Sequence, residues 1–482
     1  MEANIVIYDV GSTYTKISAF ALSESSLVLL ARDQVPTTVE DIQSGIANAN
    51  GVLKKSGIQS AENSLVLATS SAAGGLRMVA MGYMPRVTAK AAKEVSMNAG
   101  ARVLEIVTHE DPPEYRVEIL REIRPDIILL AGGTDGGDRE NLIENARYIV
   151  TSKVQAVVII AGNISAQKEV EQILAAAGVA SKRVANVMPT IHELKVTGAR
   201  EAIHEEFIKQ ISFAKGLKKL VDMVSDNVVI PTPGAILMAA ELIAGGTYEE
   251  EGIGDIIVID IGGATTDIHS ILPSLDKLSN EERGLVITNE KQPVFRTVEG
   301  NLGMRISAGG IVETVGPLGV LAKIGKKQAE LSEKLCEYAA YLEINPEHIA
   351  SLEMEMEFDR ALAISAMEVA LKRHAGYIAQ EFNPVMGIAP GTPMGRDLRG
   401  VKTIIAVGGI FTHSTPGESN ALVQSALKDR GIALLPETYQ LYFDSSYLLY
   451  GIGVLSRKFP DMALRFAKEY FNFNTSNGTD SQ

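Results

Sequence analysis

The sequence predicts an α/β protein of two related lobes, with a doubly wound α/β domain inserted into the first. Three observations predict it. A strand–turn–strand segment occurs twice, at Ile5–Phe20 and at Ile256–Leu272. Between the copies, over residues 103–187, short apolar runs alternate with helix-length segments, which is the pattern of βαβ units and a parallel sheet. Beyond the second copy, Thr403–Phe411 reads as another buried strand, and it runs into the pair Gly408-Gly409.

The repeat comes first, because self-similarity reveals architecture. IVIYDVGSTYTKISAF and IIVIDIGGATTDIHSIL each pass from an apolar β-rich stretch through Asp, an aliphatic residue and Gly into a second β-rich stretch. Aligned, Asp9 falls on Asp260, Gly11 on Gly262, Thr15 on Thr266 and Lys16 on Asp267. Small residues at the turns (Gly11 in the first; Gly262, Gly263 and Ala264 in the second) let backbone N–H groups approach an anion. An Asp at the end of the first strand repels phosphate, but it can hold Mg²⁺ through water and so share the ion with phosphates. Ser12, Thr13 and Thr265 can donate hydroxyl hydrogen bonds, and Lys16 adds an ammonium charge. One such turn is an ordinary hairpin; two that face each other make a phosphate clamp. No GxxxxGK[ST] occurs, so a P-loop is excluded by pattern, and the run starting Gly451-Ile-Gly453 breaks at Ser456 inside a helical stretch.

In the inserted segment, Val103–Val107, Asp126–Ala131, Val154–Ala161 and Arg183–Val187 read as strands, and Glu114–Arg124, Asn141–Val150 and Ala166–Ala177 as helices. Ligands of open parallel sheets sit at the carboxyl ends of the strands, which makes the loop Gly132–Asp138 a candidate second site. A Gly-rich turn in which Asp138 caps the next helix accounts for the same residues equally well. Ile203–Val224 reads as an amphipathic helix leading back to the first lobe.

Pro233–Gly246 and Ser446–Leu455, rich in small residues, read as helices that can pack closely. Gln328–Leu371 is largely helical, with Met354, Met356 and Met367 expected in the core. The single cysteine, Cys336, falls in that helix and is also expected in the core. At Gly408 and Gly409, followed by Ile410, bare backbone can lie against a flat base or ribose. Residues 471–482 read as a disordered tail.

Acidic residues outnumber basic ones, 59 to 45, for a net charge of −14, and no Lys/Arg cluster marks a nucleic-acid partner. One cysteine excludes an intramolecular disulfide and a Cys-based zinc site. The seven histidines show no HxxxH spacing. Apolar runs are strand-length and no leader pattern opens the chain, so the expectation is a cytoplasmic protein without a membrane partner.

The three motifs, in this order, resemble the actin/Hsp70/hexokinase superfamily, whose fold is a pair of ribonuclease H-like ATPase lobes. The resemblance implies ATP and Mg²⁺ as cofactors, Asp9–Lys16 and Asp260–Asp267 as the phosphate motifs, and Val407–Phe411 as the adenosine motif. It further implies that Asp9 and Asp260 hold the metal's waters and that Asp267 orients or deprotonates the attacking water. Ile410-Phe411 is bulkier than the small residues usual after the glycine pair. A narrower resemblance is carried by LLAGGTDGGDREN, AGNISAQ, ANVMPTIHEL, VEGNLGMR and DIGGATTD. These are similar to the glutamate mutase accessory family MutL or GlmL, which is unrelated to the mismatch-repair protein of similar name.

That resemblance implies an ATP-driven, chaperone-like reactivase that releases damaged cobalamin from an adenosylcobalamin-dependent mutase of the glutamate mutase or aminomutase type. A small-molecule kinase, an ATP-dependent hydrolase and an actin-like filament protein are the alternatives on the same scaffold, and a homo-oligomer is allowed. The expected domains are 1–102 and 191–250 for the first lobe and a connecting helix, 103–190 for the insertion, 251–445 for the second lobe with a helical subdomain, and 446–470 for C-terminal connecting helices.

Overall fold

The computed structural model describes residues 2–11, 13–37, 42–71, 76–84, 95, 101–190, 195–196, 198–203, 205–206, 217–274, 293–326, 328–382 and 389–473. The chain divides into two compact units. One comprises Met1–Thr69, Val224–Asp226 and Ala235–Gln482, the other Ser70–Met223 and Asn227–Gly234.

The first unit holds both copies of the repeat, and each copy seeds a sheet. In the first, Glu2–Val10 pairs antiparallel with Tyr14–Leu22, which pairs antiparallel with Leu27–Pro36, while Gln59–Ser70 flanks Glu2–Val10 on its other side. In the second, Ile256–Ile261 pairs antiparallel with Thr266–Ile271, which pairs antiparallel with Val294–Glu299. Thr403–Gly408 then adds parallel to Ile256–Ile261, and Gln440–Phe443 adds parallel beyond it. Both sheets thus share a third–second–first–fourth strand order, that of the ribonuclease H-like lobe, and the fold is the duplicated one that the repeat predicts. Every residue of Ile256–Ile261 is buried, as a near-continuous Ile/Val run requires. Its Ile257, Ile259 and Ile261 pack into a core with Phe358, Leu362 and Met367 of the helix Glu353–His374.

The helical stretch after the second hairpin differs from expectation in three places. It breaks into Ala329–Ile344 and Glu353–His374, on either side of Pro346. Cys336 is exposed, because the helix buries the stripe Leu335, Tyr338, Ala339 and Leu342 and position 336 falls off it. Met354 and Met356 are exposed too, in the first turn of their helix, and only Met367 is core.

The connecting helices run Thr232–Gly245 and Leu449–Ser456. They pack so closely that a Cβ placed on Gly453 would lie 1.8 Å from the carbonyl oxygen of Ala235. A last helix spans Pro460–Phe471, and Phe471 and Phe473 are buried against each other, so the polar tail begins after them; 474–482 lie outside the described residues.

The second unit is a doubly wound domain. Its sheet is all parallel, built from Leu76–Met81, Ala101–Val107, Ile127–Leu130, Val157–Ile160 and Ser181–Arg183 in the order second–first–third–fourth–fifth, the flavodoxin-like order. The helices Pro113–Ile123, Glu140–Ser152 and Ile164–Ala176 alternate with the later strands as expected. The sheet starts upstream of residue 103, however. Leu76–Met81 was expected in the first lobe, because a six-residue apolar run suits either kind of sheet. Part of the Ile203–Val224 helix expectation lies outside the described residues; Leu217–Met223 is helical.

The Gly132–Asp138 loop is closed on itself. Asn163 donates to the carbonyls of Gly137 and Asp138, both at 3.0 Å, and Asn186 donates to Gly133 O at 3.0 Å and to Asp135 at 2.9 Å. Asp138 accepts from Asn141 N at 3.3 Å, the capping bond of the plainer reading. Among the described residues no helix is long and apolar enough to cross a membrane.

Candidate functional site

The two repeat turns are built alike. Gly11 N donates to Tyr14 O at 3.0 Å, and Gly262 N donates to Thr265 O at 2.8 Å. A side chain on Gly11 would meet the Tyr14 carbonyl oxygen at 2.6 Å, which is why glycine stands there. Strand register pairs Asp9 with Lys16 and Asp260 with Asp267, the positions that the alignment equates. Each turn is braced from outside. Thr37 donates through its N–H to Thr13 O and through its hydroxyl to Gly11 O, both at 2.9 Å. Met304 N donates to Gly262 O, and Arg305 N and Ile306 N both donate to Gly263 O. Gly303 lies so close to Ala264 that a Cβ there would stand 2.2 Å from its carbonyl carbon. The VEGNLGMR segment is therefore the scaffold of the second turn.

The turns meet tip to tip: a Cβ on Gly263 would lie 2.9 Å from Thr13 Cγ2. Beside them opens a cleft of about 390 Å³, lined by Thr13, Lys16, Gly262 and Gly263 and also by Gly409 and Ile410. Gly409 has open space where a side chain would be, whereas Gly408 is pressed on Ile261 O, with φ of +148°. Phe411, for which a ligand contact was doubtful, is buried. Ile349, Met356 and Arg305 also line the cleft. Of the residues expected at the site, Thr13, Lys16, Gly262, Gly263, Gly409 and Ile410 line this cleft; Asp9, Gly11, Asp260, Ala264, Thr265, Asp267 and Gly408 are not among its lining residues, and Ser12 lies outside the described residues.

Three buried carboxylates, Asp9, Asp260 and Asp267, lie on the strands that carry the turns. Asp9 accepts from Lys16 Nζ at 2.7 Å and from the Thr69 hydroxyl at 2.8 Å. Asp267 accepts from Arg296 Nε at 2.9 Å and Nη2 at 2.5 Å on one oxygen, and from the Thr265 hydroxyl at 2.9 Å on the other. Asp260 stands between them, with Oδ1 buried and without a hydrogen-bond partner among the described residues. Burial first, and then the adjacent Asp267, push the Asp260 carboxyl up to about 8, against the pull of Lys16 and Arg296.

A buried oxygen with no partner is costly unless something outside the chain satisfies it. A water or a hydrated cation would satisfy it, so Asp260 fits a cation held through water. Among the described residues no cluster of three or more His, Cys, Asp or Glu could hold a metal ion by itself. Of the two carboxylates assigned to the metal's waters, only Asp260 presents an open oxygen.

Three contributors escaped the sequence reading. Arg296 sits on Val294–Glu299 and supplies the cation that lets Asp260 and Asp267 coexist; a charge in the middle of a buried strand was its signal. Thr69 comes from the end of Gln59–Ser70. Tyr447 places its ring centroid 3.9 Å from Lys16 Nζ.

Comparison with known proteins adds family membership. A family model described as MutL protein matches residues 5–471. The curated Protein MutL of Clostridium tetanomorphum is 38% identical over 479 residues, covering 98% of this chain and 99% of that one. Among solved structures, the chain is similar to the ethanolamine utilization protein EutJ from Carboxydothermus hydrogenoformans, at 11% identity and TM-score 0.24, covering 95% of this chain and 89% of that one. It is also similar to the ligand-bound xylulose kinase from Lactobacillus acidophilus, at 9% identity and TM-score 0.32, covering 97% and 92%. Because the family match spans nearly the whole chain and the curated relative aligns end to end, this chain belongs to the MutL protein family.

Proposed function

We propose that the chain is an ATP-binding and ATP-hydrolysing accessory factor that reactivates an adenosylcobalamin-dependent mutase. The observation that carries the nucleotide part is the meeting of two glycine turns close to a buried carboxylate oxygen that has no hydrogen-bond partner among the described residues. The mutase part is supported by membership in the MutL family and by the resemblance of that family to mutase-reactivating factors.

In this reading, backbone N–H groups of both turns and the Lys16 ammonium hold the phosphates, and Gly409 and Ile410 receive the adenosine. Asp260 holds the waters of the metal, and Asp9 fixes Lys16. A magnesium ion there would supply charge neutralisation on the phosphates during cleavage. Asp267 orients the attacking water; one of its oxygens is engaged by Arg296 and the other by the Thr265 hydroxyl. Most of the rate then comes from positioning and fixed charge. The engaged state of Asp267 also favours hydrolysis over the kinase alternative, in which that carboxylate would be the base for an acceptor hydroxyl.

The deciding experiment is recovery of an inactivated cobalamin mutase by the purified chain with Mg-ATP, run alongside phosphate release. ATP-dependent recovery is expected; ATP cleavage without recovery removes the reactivase role, and absence of both removes the nucleotide role as well.

A further inference from the structure

We propose that Tyr447 is a positioning residue for Lys16: its ring, together with Asp9, pins the ammonium at the cleft wall where a polyphosphate would meet it. The inference rests on the reading of the cleft as a nucleotide site, and it adds a residue from a third part of the chain to that site.

Lys16 Nζ stands 2.7 Å from Asp9 Oδ2, and the Tyr447 ring centroid lies 3.9 Å away on another side. A second ring, that of Tyr450, lies at 6.0 Å. An ammonium over an aromatic face is attracted by the ring's quadrupole, more strongly where water is excluded, and Lys16 is 8% exposed. Lys16 and Tyr447 both line the cleft, so the held cation faces the space a ligand would fill.

The backbone is built to put the ring there. Tyr447 has φ of +55°, a conformation that large side chains seldom adopt and that persists only where neighbours impose it. Asp444 imposes it. The Asp444 carbonyl accepts from Tyr447 N at 3.1 Å, and its carboxylate accepts from Leu448 N and Leu449 N, both at 2.7 Å, capping the helix that follows. The Tyr470 hydroxyl holds the same carboxylate at 2.8 Å and accepts from Ser446 N at 2.9 Å. This bend delays the helix to Leu449 and turns Tyr447 out of its line. Asp444 N also donates to Ala406 O, on the strand that leads to the Gly408-Gly409 edge, so the bend that aims the ring is tied to that edge as well.

Titration calorimetry on the full chain tests this with Tyr447→Phe and Tyr447→Leu, using Mg-ATP and adenosine as probes. Phe keeps the aromatic face and is expected to bind Mg-ATP as the wild type does. Leu loses the face and is expected to bind Mg-ATP between about twofold and about thirtyfold more weakly, the range of a cation–π contact. Adenosine affinity should not change in either variant, because the Lys16 charge acts on phosphates; a merely structural role would weaken both ligands together. Equal loss in Phe and Leu, no loss in Leu, or parallel loss of adenosine would each overturn the assignment.

A second readout needs no nucleotide. Acylation of Lys16 by an amine-reactive acetylating reagent, followed by mass spectrometry, should be about twofold or more faster in the Leu variant, with Phe at the wild-type rate. If the wild type binds neither probe, the nucleotide reading fails while this labelling still decides Tyr447; unchanged labelling in the Leu variant rejects the positioning role.

Discussion

At the scale of single residues, the site is a matter of which carboxylates are already satisfied. Asp9 and Asp267 have charged partners, and Asp260 keeps one buried oxygen open. Asp260→Ala and Asp9→Ala should each lower ATP turnover by about 10²-fold, the scale of losing one preorganised electrostatic group; phosphate release at wild-type rate in both would remove them from the site. His269, two residues past Asp267, makes a separate prediction. It is fully buried, its ring nitrogens have no partner among the described residues, and burial followed by the nearby Arg296 drives its pKa well below 6.5. A depressed pKa gives stability that is present above 6.5 and lost as pH falls, because only the unfolded chain takes the proton. Between pH 7.5 and 5.5 the wild type should therefore lose about 1.4 kcal/mol more than His269→Leu, measured as urea midpoints; parallel curves would exclude the linkage. Asp9, Asp260 and Lys16 were legible in the sequence because the chain states its design twice. Arg296 and Tyr447 were not, because each reaches its partner from another part of the chain, a strand for Arg296 and a bend for Tyr447, and a lone occurrence has nothing to be aligned with.

Elements set how closely those residues can be brought together. The two connecting helices approach backbone to backbone at Gly453 and Ala235, so Gly453→Ala must push them apart. Overpacking of this kind costs about 1–3 kcal/mol or more, and thermal unfolding should show it. The helix Leu449–Ser456 starts two residues after Tyr447, so the same change should also weaken Mg-ATP binding; a variant with unchanged melting and affinity would mean that the helices tolerate separation. Most strands and helices were legible from period and length, including the alternation from residue 101 to residue 183. The failures have physical reasons. Leu76–Met81 was too short to declare its sheet, the helix expected from Ser446 was cut short by the Asp444 cap, and the exposure of Cys336 followed from a helical phase that apolar content alone left ambiguous.

For the whole molecule, the division into two units has a thermodynamic signature. Each unit has its own core, the first built on two sheets, and both repeat turns belong to the first. Scanning calorimetry should resolve two transitions. Mg-ATP at a hundredfold excess over its dissociation constant should raise one of them, by about 2.7 kcal/mol of linkage, and leave the other in place. A single transition, or two that move together, would show that the units unfold as one. The architecture as a repeat with an insertion was readable from the chain, whereas the start of the insertion was not, since composition hardly changes across it. The turns, finally, share one backbone frame but carry opposite signs across the strand pair, Lys16 in one and Asp267 in the other. Duplication followed by a change of sign gives the cleft polarity. An anionic guest would be attracted at the Lys16 hairpin and repelled at the Asp267 hairpin, except where Arg296 offsets that carboxylate.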